Sequence, residues 1–414
     1  MIHKIISALF ILSVLVTPFS NAEASHTQNA IATPEEKVNA LQSYVARAYG
    51  TRTPLTNDEL KTSIEAGTAW LINAQESNGH FKYEYLPFEG TYRADDNIVR
   101  QTGALYALGE VRRRTGGEAP EIDHAMEKSI SFFHDLSREG TQNGKTFSCI
   151  VKNEKSSRCP LGATSLALVG LLSYIDVHPE KSGAYKKQIG AYASFILAQQ
   201  KANGGFRNLY AHKGTANDDE SPFSNGEALL ALTRYYQYHP DAAIKTAIDK
   251  AYDHLKVQPY SGDLHLWIMA ALVDMNTLWP KEEYKTYARG FTEWRLHSGN
   301  RASRNTHNYC PYVEGIASAL VLLKSDAKEK NTAFLGELET RNRFHFMLQL
   351  AEKDAVRVLN EAGNVQFKTL AQPSNLAIGG FLTGDTALTQ RIDFTQHCIT
   401  AYVQTLVEIR GQAL

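Results

Sequence analysis

The sequence predicts an all-α fold, an (α/α)6 toroid of about six helical hairpins with one extra N-terminal helix, and three observations lead there. Apolar residues recur at helical spacing along nearly the whole chain from residue 57, and no region is rich in strands. Helix patterns with one wet face alternate with patterns that are apolar almost all round. A short segment repeats: Gln75-Glu76-Ser77-Asn78-Gly79-His80-Phe81 is echoed by Gln200-Lys201-Ala202-Asn203-Gly204-Gly205-Phe206, and Tyr85 and Tyr210 follow at the same distance. A hairpin of this kind cannot bury its inner face alone. An even number near six therefore closes into a ring of inner helices inside a ring of outer ones.

The N-terminus is read separately. His3 and Lys4 precede the uncharged run Ile5 to Val16, then Pro18 and the small-residue pattern Ala22-Glu23-Ala24, which is the form of a secretory signal peptide over residues 1–24. Its apolar core is shorter than the roughly 20 residues a membrane span needs. No later segment has that length, so the mature chain is expected in the periplasm or outside the cell, with no integral membrane segment. Residues 25–56 read as an extension carrying one helix near 34–49, and 57–414 as the toroid.

Outer helices are expected near 57–76, 120–138, 181–201, 241–257, 281–297 and 335–356, and inner helices near 95–114, 161–176, 222–238, 263–278, 310–324 and 393–410. The stretch from Asp241 shows the outer kind, with Ile244, Ala247, Ile248, Ala251 and Leu255 on one face and Lys245, Asp249 and Lys250 between them. From Gly262 onward His265, Trp267, Met269, Ala271 and Met275 leave little surface for water. Turns from inner to outer helices are short, as at His239-Pro240. Those from outer to inner are long, at 77–94, 139–160, 202–221, 298–309 and 357–392, and alternation of direction gathers them on one rim. Loops of that length in a compact domain usually carry function.

Lys+Arg 43 against Asp+Glu 44 leaves a net charge of -1, which offers no field to a polyanion and argues against a nucleic-acid partner. No motif calls for a cofactor, and nothing marks an oligomeric state. Four cysteines in an exported chain are most simply structural. Cys149 and Cys159 bracket a short polar loop and form the disulfide candidate. Cys310 and Cys398 stand near the starts of two late inner helices and pair if those helices are neighbours; a zinc site with His307 and His397 is the alternative.

The Gln-x-x-x-Gly-x-Phe repeats resemble the QW motif of triterpene cyclases, with Phe81 and Phe206 where that motif has tryptophan. The succession of hairpins resembles the α/α toroid shared by terpenoid cyclases, protein prenyltransferases and the six-hairpin glycosidases, polysaccharide lyases and uronyl epimerases. The likeness covers about residues 57–411 as architecture and two short segments as motif. The Asp-x-Asp-Asp run of the triterpene cyclases is missing, since Asp95-Asp96 and Asp218-Asp219 are pairs only. An exported chain also has little access to a prenyl diphosphate. The resemblance therefore implies a glycan-processing enzyme on a poly- or oligosaccharide substrate.

Candidate residues lie where the long loops enter the inner helices. The first loop delivers Tyr85, Asp95, Asp96, Asn97 and Arg100, with one aspartate expected as the N-cap. The third hairpin offers Asn225 and Glu227, and a carboxylate among Ala228, Leu229 and Leu230 must find a partner or shift its pKa upward. Asp263, expected as a cap, His265 and Trp267 open the fourth inner helix, Trp267 as a sugar-stacking platform. The fifth loop holds Arg304, His307 and Tyr309, followed by Tyr312 and Glu314, a mixture suited to an acidic sugar because guanidinium binds carboxylate in a fork. Arg391, Asp393 and His397 enter the sixth inner helix, the last two on one face. Two mechanisms fit these residues. A hydrolase uses two carboxylates drawn from Asp96, Glu227 and Asp263. A lyase or epimerase uses His265, His307 or Tyr309 as base beside a uronate carboxylate neutralised by Arg100 or Arg304. The alternatives are a non-catalytic ligand-binding toroid or, further off, a terpenoid-type enzyme with an apolar cavity.

Overall fold

The computed structural model describes residues 53–142, 144–213, 218–298, 307–351, 355–359, 365–384 and 386–414. The expected signal peptide, the helix near 34–49 and Arg304 lie outside them.

Twelve α-helices build the described structure. The outer ones are α1 (Asn57–Asn73), α3 (Pro120–Asp135), α5 (Ser182–Gln199), α7 (Ala242–Leu255), α9 (Glu282–His297) and α11 (Thr332–Leu348). The inner ones are α2 (Ile98–Arg112), α4 (Leu161–Val177), α6 (Pro222–Tyr238), α8 (Gly262–Leu278), α10 (Cys310–Leu322) and α12 (Ile392–Val403), the last running on into a π-turn over Gln404–Ile409. Neighbouring inner helices pack side by side in that order, and α12 returns against α2. The ring is closed. Burial follows the alternation expected from sequence: on α7 only Ile244, Ala247, Ile248, Ala251, Tyr252 and Leu255 are buried, whereas α4 is buried from Leu161 through Ile175.

Connections from inner to outer helices are short, and four of the five long outer-to-inner connections carry short strands. β1 (Glu84–Leu86) pairs with β2 (Thr91–Tyr92) and with β9 (Gln390–Arg391), and β3 (Ser137–Gln142) forms a hairpin with β4 (Lys145–Ile150). β5 (Arg158–Pro160) pairs with β6 (Leu209–Ala211), and β7 (Ala355–Leu359) with β8 (Val365–Thr369). The β1–β9 pair joins the first and last loops, β5–β6 the second and third, and a bridge between His307 and Gly384 the loops leading into α10 and α12. The strands thus stitch the rim together, a role that helical periodicity cannot announce.

The repeated glutamine segment occurs three times, not two. Gln75 Nε2 donates to the carbonyls of Gly79 and, at 2.9 Å, Ala125 of α3; Gln200 Nε2 donates to Gly204 and, at 2.8 Å, Ala247 of α7. Gln349 Nε2 donates at 2.9 Å to Gly379, 30 residues on, and at 2.9 Å to Ser63 of α1. Each glutamine thus ties one outer helix to the next, and the third tie joins the last outer helix to the first. The glycines share φ values of 95°, 99° and 93°, and a Cβ on any of them would strike a carbonyl of the adjacent outer helix, at Lys128, Lys250 or Ala66. Gln349 also ends α11 at the point where the sequence pattern predicts helix to 356.

Cys149 is bonded to Cys159, linking β4 to β5, and Cys310 to Cys398, linking the neighbouring helices α10 and α12. The second bond engages both sulfurs of the zinc alternative, and His397 turns to Glu314 instead.

Candidate active site

The N-terminal ends of the inner helices open into a cavity of about 540 Å³. Glu227, Asp263, His307, Arg100, Trp267, Tyr309, Arg391, Asp393 and His397 all line it. The first turns of α2, α6, α8 and α12 and the segment leading into α10 bring them there, and α4 adds Leu166 to the wall.

Glu227 is the most perturbed acid in the wall. It is 3% exposed, its Oε2 has no hydrogen-bond partner, and burial pushes its carboxyl up to about 7 against the opposing pull of Arg100. It fits because the facing residue on α4 is Gly162, where a Cβ would overlap the carboxylate. Similar slots recur around the ring. Gly103 admits Gln396, Gly226 admits Trp267, and Gly315 admits His265.

His397 enters from α12. Its Nδ1 lies 2.7 Å from Glu314 Oε2, and Glu314 Oε1 accepts the Tyr106 hydroxyl at 2.9 Å. Burial raises the Glu314 pKa, and the bonds from His397 and Tyr106 oppose that. With Nδ1 donating to Glu314, Nε2 is the acceptor nitrogen; it lies 3.5 Å from Gln396 Nε2. The Trp267 indole stands beside it, with ring centroids 5.9 Å apart. In the order of the closed ring, α6 and α12 are opposite one another, so Glu227 and His397 approach the cavity from opposite sides.

A charged row completes the wall. Arg391 holds Asp393 in a fork, at 3.0 and 2.6 Å, and its guanidinium lies over the rings of Tyr83 and Phe394 at 5.1 and 4.9 Å. Burial, aided by Asp393, pushes the Tyr83 hydroxyl up to about 12. Arg100 Nε stands 3.4 Å from the same Asp393.

Four sequence candidates lie outside the cavity lining. Asp96 bonds Gln101, the Asn97 amide and His80, and the N-cap of α2 is Asn97, whose side chain accepts from Val99 and Arg100. His265 is fully enclosed with Nε2 3.1 Å from Thr292, and burial drops its pKa to about 3. Tyr85 is buried against Tyr92, with ring centroids 4.7 Å apart. Asn225 accepts the Phe206 amide of the repeat, as Gln101 does for Phe81 and Thr395 for Phe381. These polar side chains support the scaffold. Asp263 is not a cap either: Ser261 caps α8 and leaves that carboxylate in the wall.

Sequence reasoning missed Glu314 as the partner of His397, although it is a carboxylate in an apolar helix, the signal that singled out Glu227. It also missed Arg295, Phe223, Phe394 and Gln396, which line the cavity from segments with no distinctive pattern.

No protein-family model matches the sequence, and no curated protein matches it. Solved structures do resemble it. Cellobiose 2-epimerase from Bacillus thermoamylovorans has a TM-score of 0.60 at 12% identity, covering 84% of this chain and 99% of its own. A D-mannose isomerase has a TM-score of 0.59 at 11% identity, over 84% and 97%. An α-1,6-mannanase of Salegentibacter, an inactive variant with two adjacent aspartates replaced and α-1,6-mannotetraose bound, has a TM-score of 0.53 at 14% identity, over 84% and 99%. The chain shares their (α/α)6 toroid fold.

Proposed function

We propose that this protein is an exported sugar-processing enzyme that moves a proton at one carbon of a sugar held in the rim cavity, an epimerase, isomerase or lyase. The carrying observation is that Glu227 and His397 line one cavity from opposite inner helices, one a buried acid with a pKa of about 7, the other an imidazole oriented by a carboxylate. Two such groups can take a proton from one face and supply one to the other. Trp267, with Phe223 and Phe394, gives the apolar faces that sugar rings stack on. Two of the similar structures are an epimerase and an isomerase of sugars. Among the described residues no single helix is long and apolar enough to cross a membrane, and two disulfides accord with export by the N-terminal segment.

Hydrolysis is the second reading, favoured by Asp263, which lines the same cavity as Glu227, since two carboxylates are what it needs. The similar mannanase is inactive without two adjacent aspartates. Here the adjacent pairs, Asp95-Asp96 and Asp218-Asp219, stand outside the cavity lining. Incubating the purified protein with neutral and acidic mono- and oligosaccharides tests both. Following stereoisomers by chromatography, unsaturated uronates by absorbance and new reducing ends separates the outcomes. New isomers or unsaturated products support proton transfer; reducing ends alone support hydrolysis; silence on every sugar rejects both.

A further inference from the structure

Building on the proton-transfer reading, we propose that the sugar carries a carboxylate, held in a fork by the two terminal amino groups of Arg100. Asp393 has two arginines beside it and one charge to offer. Arg391 already takes both of its oxygens, at 3.0 and 2.6 Å, and is itself fixed over Tyr83 and Phe394. Arg100 reaches Asp393 only through Nε, at 3.4 Å. Its side chain is 37% exposed, it lines the cavity, and among the described residues neither Nη group has a hydrogen-bond acceptor. That leaves the planar outer edge of a guanidinium, five-donor and always charged, aimed at the cavity with its orientation set from behind.

The other charges in the wall do not cancel it. Arg100, Arg295 and Arg391 face Asp263 and Asp393, and the remaining acid, Glu227, is held neutral by burial below its raised pKa of about 7. An anion entering this wall replaces lost water with an ion pair. A neutral sugar leaves the guanidinium edge with hydroxyls alone.

A carboxylate is favoured over a phosphate ester by the chemistry of the reading. A carboxylate acidifies the C–H bond next to it, whereas a phosphate on oxygen does not. His397 Nε2 takes that proton, the C–H electron pair moves into the carboxylate as an enediolate, and Arg100 meets the added charge on its oxygens. Protonated Glu227 then returns a proton to the same carbon from the other side, giving the epimer; if its proton goes instead to the oxygen on the next carbon, that C–O bond breaks, the oxygen leaves as a hydroxyl, and an unsaturated uronate remains.

The test is equilibrium binding by titration calorimetry, with turnover measured in parallel. The probes are glucuronate, galacturonate and mannuronate, oligogalacturonides, the matching neutral hexoses and cello-oligosaccharides, and the corresponding sugar phosphates. The wild-type protein is expected to bind a uronate at least tenfold more tightly than its neutral counterpart, with the advantage shrinking as salt rises. Arg100→Gln is expected to erase that preference, and Arg100→Lys to restore only part of it. Equal binding and turnover of neutral sugars by the wild type overturns this proposal and leaves the proton-transfer reading standing. Preference for the phosphates over the uronates overturns it as well. No binding of any sugar overturns both. The wild-type comparison needs no variant to fold.

Discussion

The carboxylate of Glu227 rests against the bare Cα of Gly162 on the neighbouring inner helix, in a slot that a single methyl group would fill. Sequence separates these residues by a whole hairpin, and ring closure makes them partners.

Gly162→Ala therefore tests the site without removing a polar group. The substitution raises helix propensity by up to about 1 kcal/mol and overfills the slot at a cost of about 1 to 3 kcal/mol, so a net loss of about 0 to 2 kcal/mol is expected. The displaced carboxylate loses its position, and a loss of about 100-fold in kcat is expected from a shift of about 1 Å. Steady-state kinetics beside thermal unfolding checks this. Unchanged kcat in a folded variant would show that the slot does not position Glu227.

Burial of Glu227 also sets a pH dependence. Its carboxyl titrates at about 7 in the folded chain against an ordinary 4.5. Below 4.5 both states hold the proton; between 4.5 and 7 only the folded state does, so this group lowers stability as pH rises through that window. The full cost, on the order of 3 kcal/mol, is reached above 7. Glu227→Gln removes it. Denaturant unfolding is expected to show equal stability for variant and wild type near pH 4 and a more stable variant near pH 8. Parallel profiles would contradict the burial argument.

The limits of the sequence follow from the same geometry. Helical period and wetness are local, so the alternation of α7 with α8 was legible, and with it the closed ring and the rim. Partnership across the ring is not local. His265 and Glu227 look alike in sequence, each a polar group in an apolar helix, yet one seals against Thr292 and the other faces the cavity. Each fits against a glycine of an adjacent helix, Gly315 for His265 and Gly162 for Glu227, and what it meets beyond that is set by the ring and not by its own helix. Asn225 read as a ligand contact because its tie to Phe206 belongs to the repeat, whose third copy is hidden by the insertion between Gln349 and Gly379.

That third copy carries a distinct expectation. Gln349→Ala deletes the bonds to the Ser63 carbonyl and from the Ser63 hydroxyl, which tie the last outer helix to the first, together with the bond to Gly379 of the last loop. A loss of about 2 to 4 kcal/mol is expected in denaturant unfolding. Gln200→Ala, whose glutamine is less buried and does not close the ring, is expected to cost less. The reverse order would mean that closure does not depend on this glutamine.

Proton transfer between Glu227 and His397 across one cavity is measured most directly by solvent deuterium exchange. Sugars of the panel are incubated in heavy water with wild type, Glu227→Gln and His397→Asn, and read by NMR. The account predicts deuterium at a single sugar carbon with the wild type, and loss of isomer formation in each variant. Sugar cleaved to new reducing ends with no deuterium on carbon would contradict it.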